Sequence, residues 1–450
     1  MHNRNRAFSA IKRAMRKSVA FGLSTLFFMF FASMVWSVPG TWEPLGPEGG
    51  QFLGCVTNPS DPSQVTAITS NPATVYRSSN GGNSWTKISE PPSESLNDAC
   101  AYDYSTWYAI RYDTCYRSTD GGTTWTTHEL PANVYDASYY VSAYAYKICV
   151  DPSNSSKVYA AGQAYVYSST DSFNGLAFFS SADGGQSWRR TEAFSFDYFS
   201  PSDMAVAKTA DGDMIYVCGY KGVESGGSIR LYGALLKSAD GGENWLDITD
   251  SIGIAREDPI SCIGVDPTDG NRLYITYGGL FCMSTDGGSS WTRIPRSIES
   301  PQAIAVDPSD PSRMYVCNNE YLYVGTEYGK NWTTSPRYAI RGYSCSVEIA
   351  SGNPSNVYVA TSIGLYKSID YGATFEKAHN GIYNTIIPAL AVAPSDPSVL
   401  YAEYQGVSVF GSTDGGNTWE DKNLFSNCGN VCDLVVHATD PNTVIALAGG

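Results

Sequence analysis

One short string returns eight times along this chain, and it restricts the fold more tightly than any other feature. The string is Ser-x-Asp-Gly-Gly-x-Thr/Ser-Trp, present in full at 118–125, 181–188, 284–291 and 412–419, and at 238–245 with Asn244 before the Trp. Three looser copies lie at 78–85, 325–332 and 368–375, the last ending in Phe375. The acidic position is filled by Asn80, Asp120, Asp183, Asp240, Asp286, Glu327, Asp370 and Asp414. Successive copies end 40, 63, 57, 46, 41, 43 and 44 residues apart. A second motif precedes several copies: Val150-Asp151-Pro152-Ser153, Val265-Asp266-Pro267-Thr268 and Val306-Asp307-Pro308-Ser309, with Ala393 replacing the Asp at 392–395. Each unit reads as strand, Asp-Pro turn, strand, loop, strand, Gly-Gly turn and an outer strand opened by Trp. Four short strands in about 40 to 45 residues make one propeller blade. No segment carries sustained helical periodicity, so the expected fold is all-β: a multi-bladed β-propeller of four-stranded antiparallel blades.

The turn explains its residue types. Adjacent glycines supply positive φ at a tight hairpin. The Ser hydroxyl and Asp carboxylate accept hydrogen bonds from turn amides that otherwise lack partners, and the Trp covers the hairpin base. The motif resembles the Asp-box (BNR) repeat of sialidases, sortilin-type receptors, xyloglucan-cleaving endoglucanases and the photosystem II assembly factor family. That resemblance spans most of residues 40–450 and implies propeller architecture without implying an activity. The eight acidic-position residues are assigned to the turns, because one active site cannot use eight equivalent groups around a ring. The recurring basic residue before the box (Arg77, Arg117, Lys237, Lys367) is read as structural too.

The two ends of the repeat array do not match a whole number of units. Gly40-Thr41-Trp42-Glu43 looks like the tail of a box, and Leu434 to Leu447 repeats the first two strands of a unit. Either the chain continues beyond residue 450 or the last blade is incomplete. Eight units and a half suit a sortilin-like ten-bladed ring or the first part of a tandem pair.

Residues 1–37 stand apart from the propeller expected over 38–450. Arg4, Arg6, Lys12, Arg13, Arg16 and Lys17 precede 18 uncharged residues from Val19 to Trp36, with small residues at Ser33 and Ser37. This is the pattern of a secretory signal, or of an uncleaved anchor at the lower edge of spanning length. Export to the periplasm, cell surface or medium follows, with no membrane insertion beyond that segment. Its removal takes six positive charges and no negative ones, moving the formal charge from −15 to −21. Such a surface repels phosphate backbones, so nucleic acid is not an expected partner. Eleven cysteines at irregular spacing are read mainly as small apolar strand residues. With only three histidines after residue 37 (His128, His379, His437), no metal site and no cofactor are expected.

Function should sit where the period breaks. The spacings of 63 and 57 mark units three and four, whose extra residues are aromatic: Tyr135, Tyr139, Tyr140, Tyr144, Tyr165 and Tyr167, then Phe194, Phe196, Tyr198 and Phe199. Arg189, Arg190, Asp171, Glu192, Asp197 and Glu224 lie among them. Aromatic faces beside polar groups suit sugar stacking or protein recognition. Two readings follow: a non-catalytic binding or assembly scaffold for glycan or protein, or a glycoside hydrolase using a carboxylate pair. The resemblance weakens the second. Asn80 stands in the first box, where the xyloglucan-cleaving family carries a catalytic Asp, and Arg293-Ile294-Pro295 follows the fifth box, where a sialidase arginine motif would precede the first.

Overall fold

The computed structural model describes residues 49–449 except 136–138, 169–171, 197, 211, 226–227, 254–257, 319, 338, 341, 343, 351–352, 379–382, 385–389, 405–407, 423–429 and 438. The N-terminal basic and apolar segment lies outside the described residues. Eight antiparallel sheets follow in chain order. They are blade 1 (52–89), blade 2 (98–129), blade 3 (133–196), blade 4 (198–247), blade 5 (260–297), blade 6 (303–334), blade 7 (344–377) and blade 8 (390–421). Seven have four strands and blade 3 has five; a two-stranded ninth sheet pairs Asn430–Val436 with Val444–Gly449. Among the described residues there is no α-helix, and no helix is long and apolar enough to cross a membrane.

Every box turn but the sixth, where Gly325 stands at the Ser position, closes through the same Ser hydroxyl and acidic-position side chain. In the second, the Ser118 hydroxyl accepts from Gly122 N at 2.9 Å and donates to Asp120 Oδ1 at 2.9 Å. Asp120 then accepts Thr124 N at 2.8 Å and the Thr124 hydroxyl at 2.6 Å. Trp125 Nε1 donates to Gly122 O at 3.0 Å. The carboxylate therefore saturates its own turn. Hydroxyl donors at Ser187, Ser290 and Thr418 hold Asp183, Asp286 and Asp414 at a pKa of about 2, so these turns keep their charge far into acid. Gly121 and Gly122 take φ of 69° and 83°, the left-handed region a side chain resists. Boxes 6 and 7 place Tyr328 and Tyr371 there instead, both at φ 57°. In each case an arginine of the preceding blade covers the ring: Arg272 lies 4.3 Å from Tyr328 and Arg313 lies 4.4 Å from Tyr371. Those arginines also pair with Asp266 and Asp307, the buried acids of the Asp-Pro turns, at 2.7 and 3.1 Å.

The sheets stack face to face with an apolar core at each junction. Trp107 and Val75 pack between blades 1 and 2, Phe179 and Val141 between 2 and 3, Phe178 and Phe199 between 3 and 4. Tyr216 and Ile275 join blades 4 and 5, Phe281 and Val316 join 5 and 6, and Tyr315 and Val357 join 6 and 7. The seventh junction returns to the beginning, where Tyr358, Ala360 and Ala378 of blade 7 pack on Phe52, Tyr76 and Trp85 of blade 1. The innermost strands of blades 1–7 touch one another in order and close the same circle. Polar contacts agree. Arg77 reaches Gly121 O of the next box at 2.8 Å, and Lys237 reaches Gly287 O at 2.8 Å. For blade 7 the corresponding box is the first: Tyr358 donates to Gly81 O at 3.1 Å and Trp85 Nε1 to Ala378 O at 2.8 Å. Seven blades thus complete a ring. Blade 8 and the ninth sheet share a separate core of Tyr401, Val409 and Leu434, and Trp419 rests on Phe410 and on Ile363 of blade 7.

The inner strands carry enclosed acids. Asp98 accepts Ile148 N at 3.0 Å and Asp203 accepts Ile263 N at 3.0 Å, each from the next blade. Burial pushes both carboxyls up, and the charge of Lys147 opposes it. Glu348, on the inner strand of blade 7, is pushed by burial to about 8 from 4.5, with the Thr57 amide opposing. An acid raised in the folded state favours the fold fully below pH 4.5, and that contribution is lost as pH climbs through about 8. Glu348→Gln is therefore expected to leave stability near wild type at pH 5. By pH 9 it gains about 2 kcal/mol over wild type, allowing for the water that reaches this side chain. Urea melts at the two pH values measure the difference, and an equal gap at both contradicts it.

A tyrosine ledge above blades 3 and 4

The long third and fourth repeats are spent on lengthened strands. In blade 3, Tyr139–Asp151 and Asn154–Ser168 run 13 and 15 residues, against five to ten for most second strands elsewhere. In blade 4, Tyr198–Thr209 and Gly212–Ser225 run 12 and 14. The pairing starts at the Asp-Pro turn, Asp151 opposite Asn154, and ends at Tyr139 opposite Ser168. Because that turn and the box lie at one end of the antiparallel blade, the extension projects from the opposite end.

Period-two alternation decides which side chains it displays. Val141, Ala143, Ala145 and Ala164 enter the core shared with blade 2. Their alternates Tyr140, Tyr144, Gln163, Tyr165 and Tyr167 lie on the other side, with Tyr140 opposite Tyr167 and Tyr144 opposite Gln163. Tyr140 and Tyr167 stack, ring centroids 6.2 Å apart and planes within 16°. Tyr144 meets Tyr165 edge-on at 6.0 Å. Tyr165 donates to Gln163 Oε1 at 2.6 Å, and Gln163 Nε2 donates to Phe199 O of blade 4 at 2.6 Å, which ties the two extensions together. Tyr198 stacks on Tyr220 at 5.7 Å. Burial pushes the phenols of Tyr146 and Tyr165 up, so both remain protonated hydrogen-bond donors at neutral pH.

Blade 2 completes the ledge through Tyr112, at the tip of the hairpin joining its second and third strands. Its ring stands edge-on to Tyr144 at 5.8 Å and to Tyr146 at 6.4 Å. The residue is held at φ 52°, an unfavourable conformation for a bulky side chain. Two bonds hold it there: its amide donates to Asn97 Oδ1 at 3.0 Å, and its carbonyl accepts Ala145 N at 2.8 Å. Tyr112, Tyr144 and Tyr167 are 39, 37 and 50% exposed, so ring faces remain free for a ligand.

Of the aromatic residues singled out above, Tyr140, Tyr144, Tyr165, Tyr167 and Tyr198 come together here. Phe199 is buried between blades 3 and 4. Tyr135, Tyr139, Phe194 and Phe196 occupy strand positions of the same blade, and their side chains lie outside the described residues, as do those of Glu192 and Glu224 and all of Asp171 and Asp197. Arg189 is committed to Glu243 through a two-bond ion pair, one arm at 2.8 Å, and Arg190 to Ala132 O at 2.7 Å. Tyr112, Tyr146 and Tyr220 are not among those residues, although Tyr146 and Tyr220 lie within the two long units. Tyr112 belongs to a unit of ordinary length, and only the backbone bridge to Ala145 brings it to the ledge.

The concavities at the opposite end are lined by residues of the box turns. A cleft of about 600 Å³ lies between boxes 3 and 4, lined by Lys157, Trp188, Arg189, Asp213, Asp240 and Glu243. Its charges are spent on one another: Lys157 and Lys208 each pair with Asp213 at 2.5 Å. Among the described residues no three His, Cys, Asp or Glu side chains gather to hold a metal ion. Cys55, Cys100, Cys115, Cys149, Cys218, Cys262, Cys282 and Cys317 all sit within strands.

Comparison with known proteins agrees with this architecture. Residues 73–232 match the Sortilin-Vps10 family (sortilin, neurotensin receptor 3). No curated protein matches the chain. Among solved structures, the GH74 xyloglucanase from Xanthomonas campestris is 15% identical with a TM-score of 0.56, covering 88% of this chain and 71% of that one. An ancestral GH74 enzyme is 18% identical with a TM-score of 0.62, covering 92% of this chain; the chain spans 60% of that enzyme's length. YCF48 bound to D1 peptide is 15% identical with a TM-score of 0.47, covering 74% and 99%. At these identities the likeness to the two GH74 enzymes is one of fold.

Proposed function

We propose that this Asp-box β-propeller is an exported, non-catalytic binding protein that holds a glycan chain along the tyrosine ledge of blades 2–4. The observation that carries the reading is the extension itself. Two blades are lengthened on the face opposite the box turns, and the added length displays tyrosine rings on one side. A pyranose ring offers a flat apolar face edged by hydroxyls, which matches ring faces flanked by phenol hydroxyls and the Gln163 amide. The lengthened antiparallel strands offer an elongated row, so the ligand is a chain of sugars rather than a single residue. Binding without cleavage is supported by the enclosed acids Asp98 and Asp203, each committed to a backbone amide of the neighbouring blade. The basic and apolar N-terminal segment supports export.

Two readouts on the purified mature chain test this: retention on an array of neutral and acidic oligosaccharides, and product release by mass spectrometry. Retention of some members without cleavage is expected. New reducing ends that vanish when one carboxylate is neutralised would establish a glycoside hydrolase instead.

A further inference from the structure

The ledge carries one cation that the protein leaves unused. Elsewhere many of this acidic chain's cations are occupied internally: Arg189 with Glu243, Arg272 with Asp266, Arg313 with Asp307, Arg337 with Glu320 and Lys221 with Asp247. Arg77 and Lys237 are taken by the carbonyls of neighbouring boxes. Arg111, like Arg296 over Tyr323, is not so occupied, and it stands at the ledge. It ends the second strand of blade 2, half-buried beside the ledge, with its guanidinium carbon 4.9 Å from the Tyr112 ring centroid. Among the described residues it makes no ion pair and no side-chain hydrogen bond. Tyr112, on which it lies, is held in a left-handed conformation by Asn97 and Ala145, so the cation rests on a fixed platform.

We infer that Arg111 is an anion-recognising subsite of the ledge, and that the glycan bound there carries a carboxylate, as a uronic acid does. This rests on the glycan reading above. A guanidinium over an aromatic ring keeps its in-plane N–H donors free, and these match the two oxygens of a carboxylate. The charge of the whole chain, −15, sets a limit on the ligand. A densely charged polyanion is repelled at long range, so the acid groups are sparse side groups on an otherwise neutral chain.

The test uses the full mature chain and a panel of oligosaccharides in which each uronic-acid-bearing member is paired with its carboxyl-reduced form. Wild type is expected to bind the acidic members about ten-fold more tightly, a margin that shrinks with added salt. Arg111→Gln should erase the margin while leaving affinity for the reduced forms unchanged, and Arg111→Lys should restore part of it. Unchanged affinity for the reduced forms also shows that the variant is folded. Equal affinity of acidic and reduced members for wild type overturns the Arg111 assignment alone. So does a margin that survives Arg111→Gln. Binding of no member overturns the glycan reading beneath it.

Discussion

Trp85→Ala is expected to lower stability by about 3–5 kcal/mol and to abolish cooperative unfolding of the ring, whereas Trp419→Ala costs less than half as much. Both residues end an Asp box, so a view of the repeats as equivalent assigns them the same loss. The structure does not. Trp85 is 7% exposed, donates to Ala378 O of blade 7 and belongs to the core that closes blade 7 on blade 1. Removing it leaves a cavity at the junction where, among the described residues, blade 7 meets blade 1 across nearly 300 positions, and loosens the contact that makes the circle closed rather than an open stack. Trp419 is half-buried on Phe410 and Ile363, outside that circle. Urea denaturation followed by tryptophan fluorescence measures both, and equal losses contradict closure after seven blades.

Tyr144→Ala combined with Tyr167→Ala is expected to weaken glycan binding by about thirty- to hundred-fold with little change in the melting midpoint. The two rings are 37 and 50% exposed and lie on separate pairs of the ledge, one against Tyr165 and one against Tyr140. Each loss removes about 1 kcal/mol or more of stacking, and the remaining ring of each pair is left without its support. Stability changes little because the core-facing alternates Val141, Ala143 and Ala164 are untouched. Titration calorimetry against the best ligand of the array reads the effect. Affinity within three-fold of wild type places the ligand elsewhere.

Much of this architecture can be read from local chemistry. Asp120, Ser118 and the paired glycines specify their turn because every bond that closes it lies within five residues. The Asp-Pro turn at Asp266 and Asp307 is equally local. Ring size is not local. Lys367 and Tyr358 look like Lys237 and Tyr216, and nothing near them says that they meet box 1 rather than box 8; that choice depends on the accumulated twist of seven blades. The long spacings of units three and four are not loop insertions: Tyr139–Asp151 and Asn154–Ser168 continue as strands. The alternation Tyr140-Val141-Ser142-Ala143-Tyr144, matched by Gln163-Ala164-Tyr165-Val166-Tyr167, is the period-two signal that marks them. Tyr112 and Arg111 could not be found this way, since their role arises from a bridge between blades.

Hydrogen–deuterium exchange of the full mature chain, with and without a retained oligosaccharide, tests the central claim most directly. Protection confined to 139–146, 161–168 and the Tyr112 hairpin is the result expected of a ligand lying on the ledge. Protection at the box turns 181–188 and 238–245, with the ledge unchanged, would contradict it.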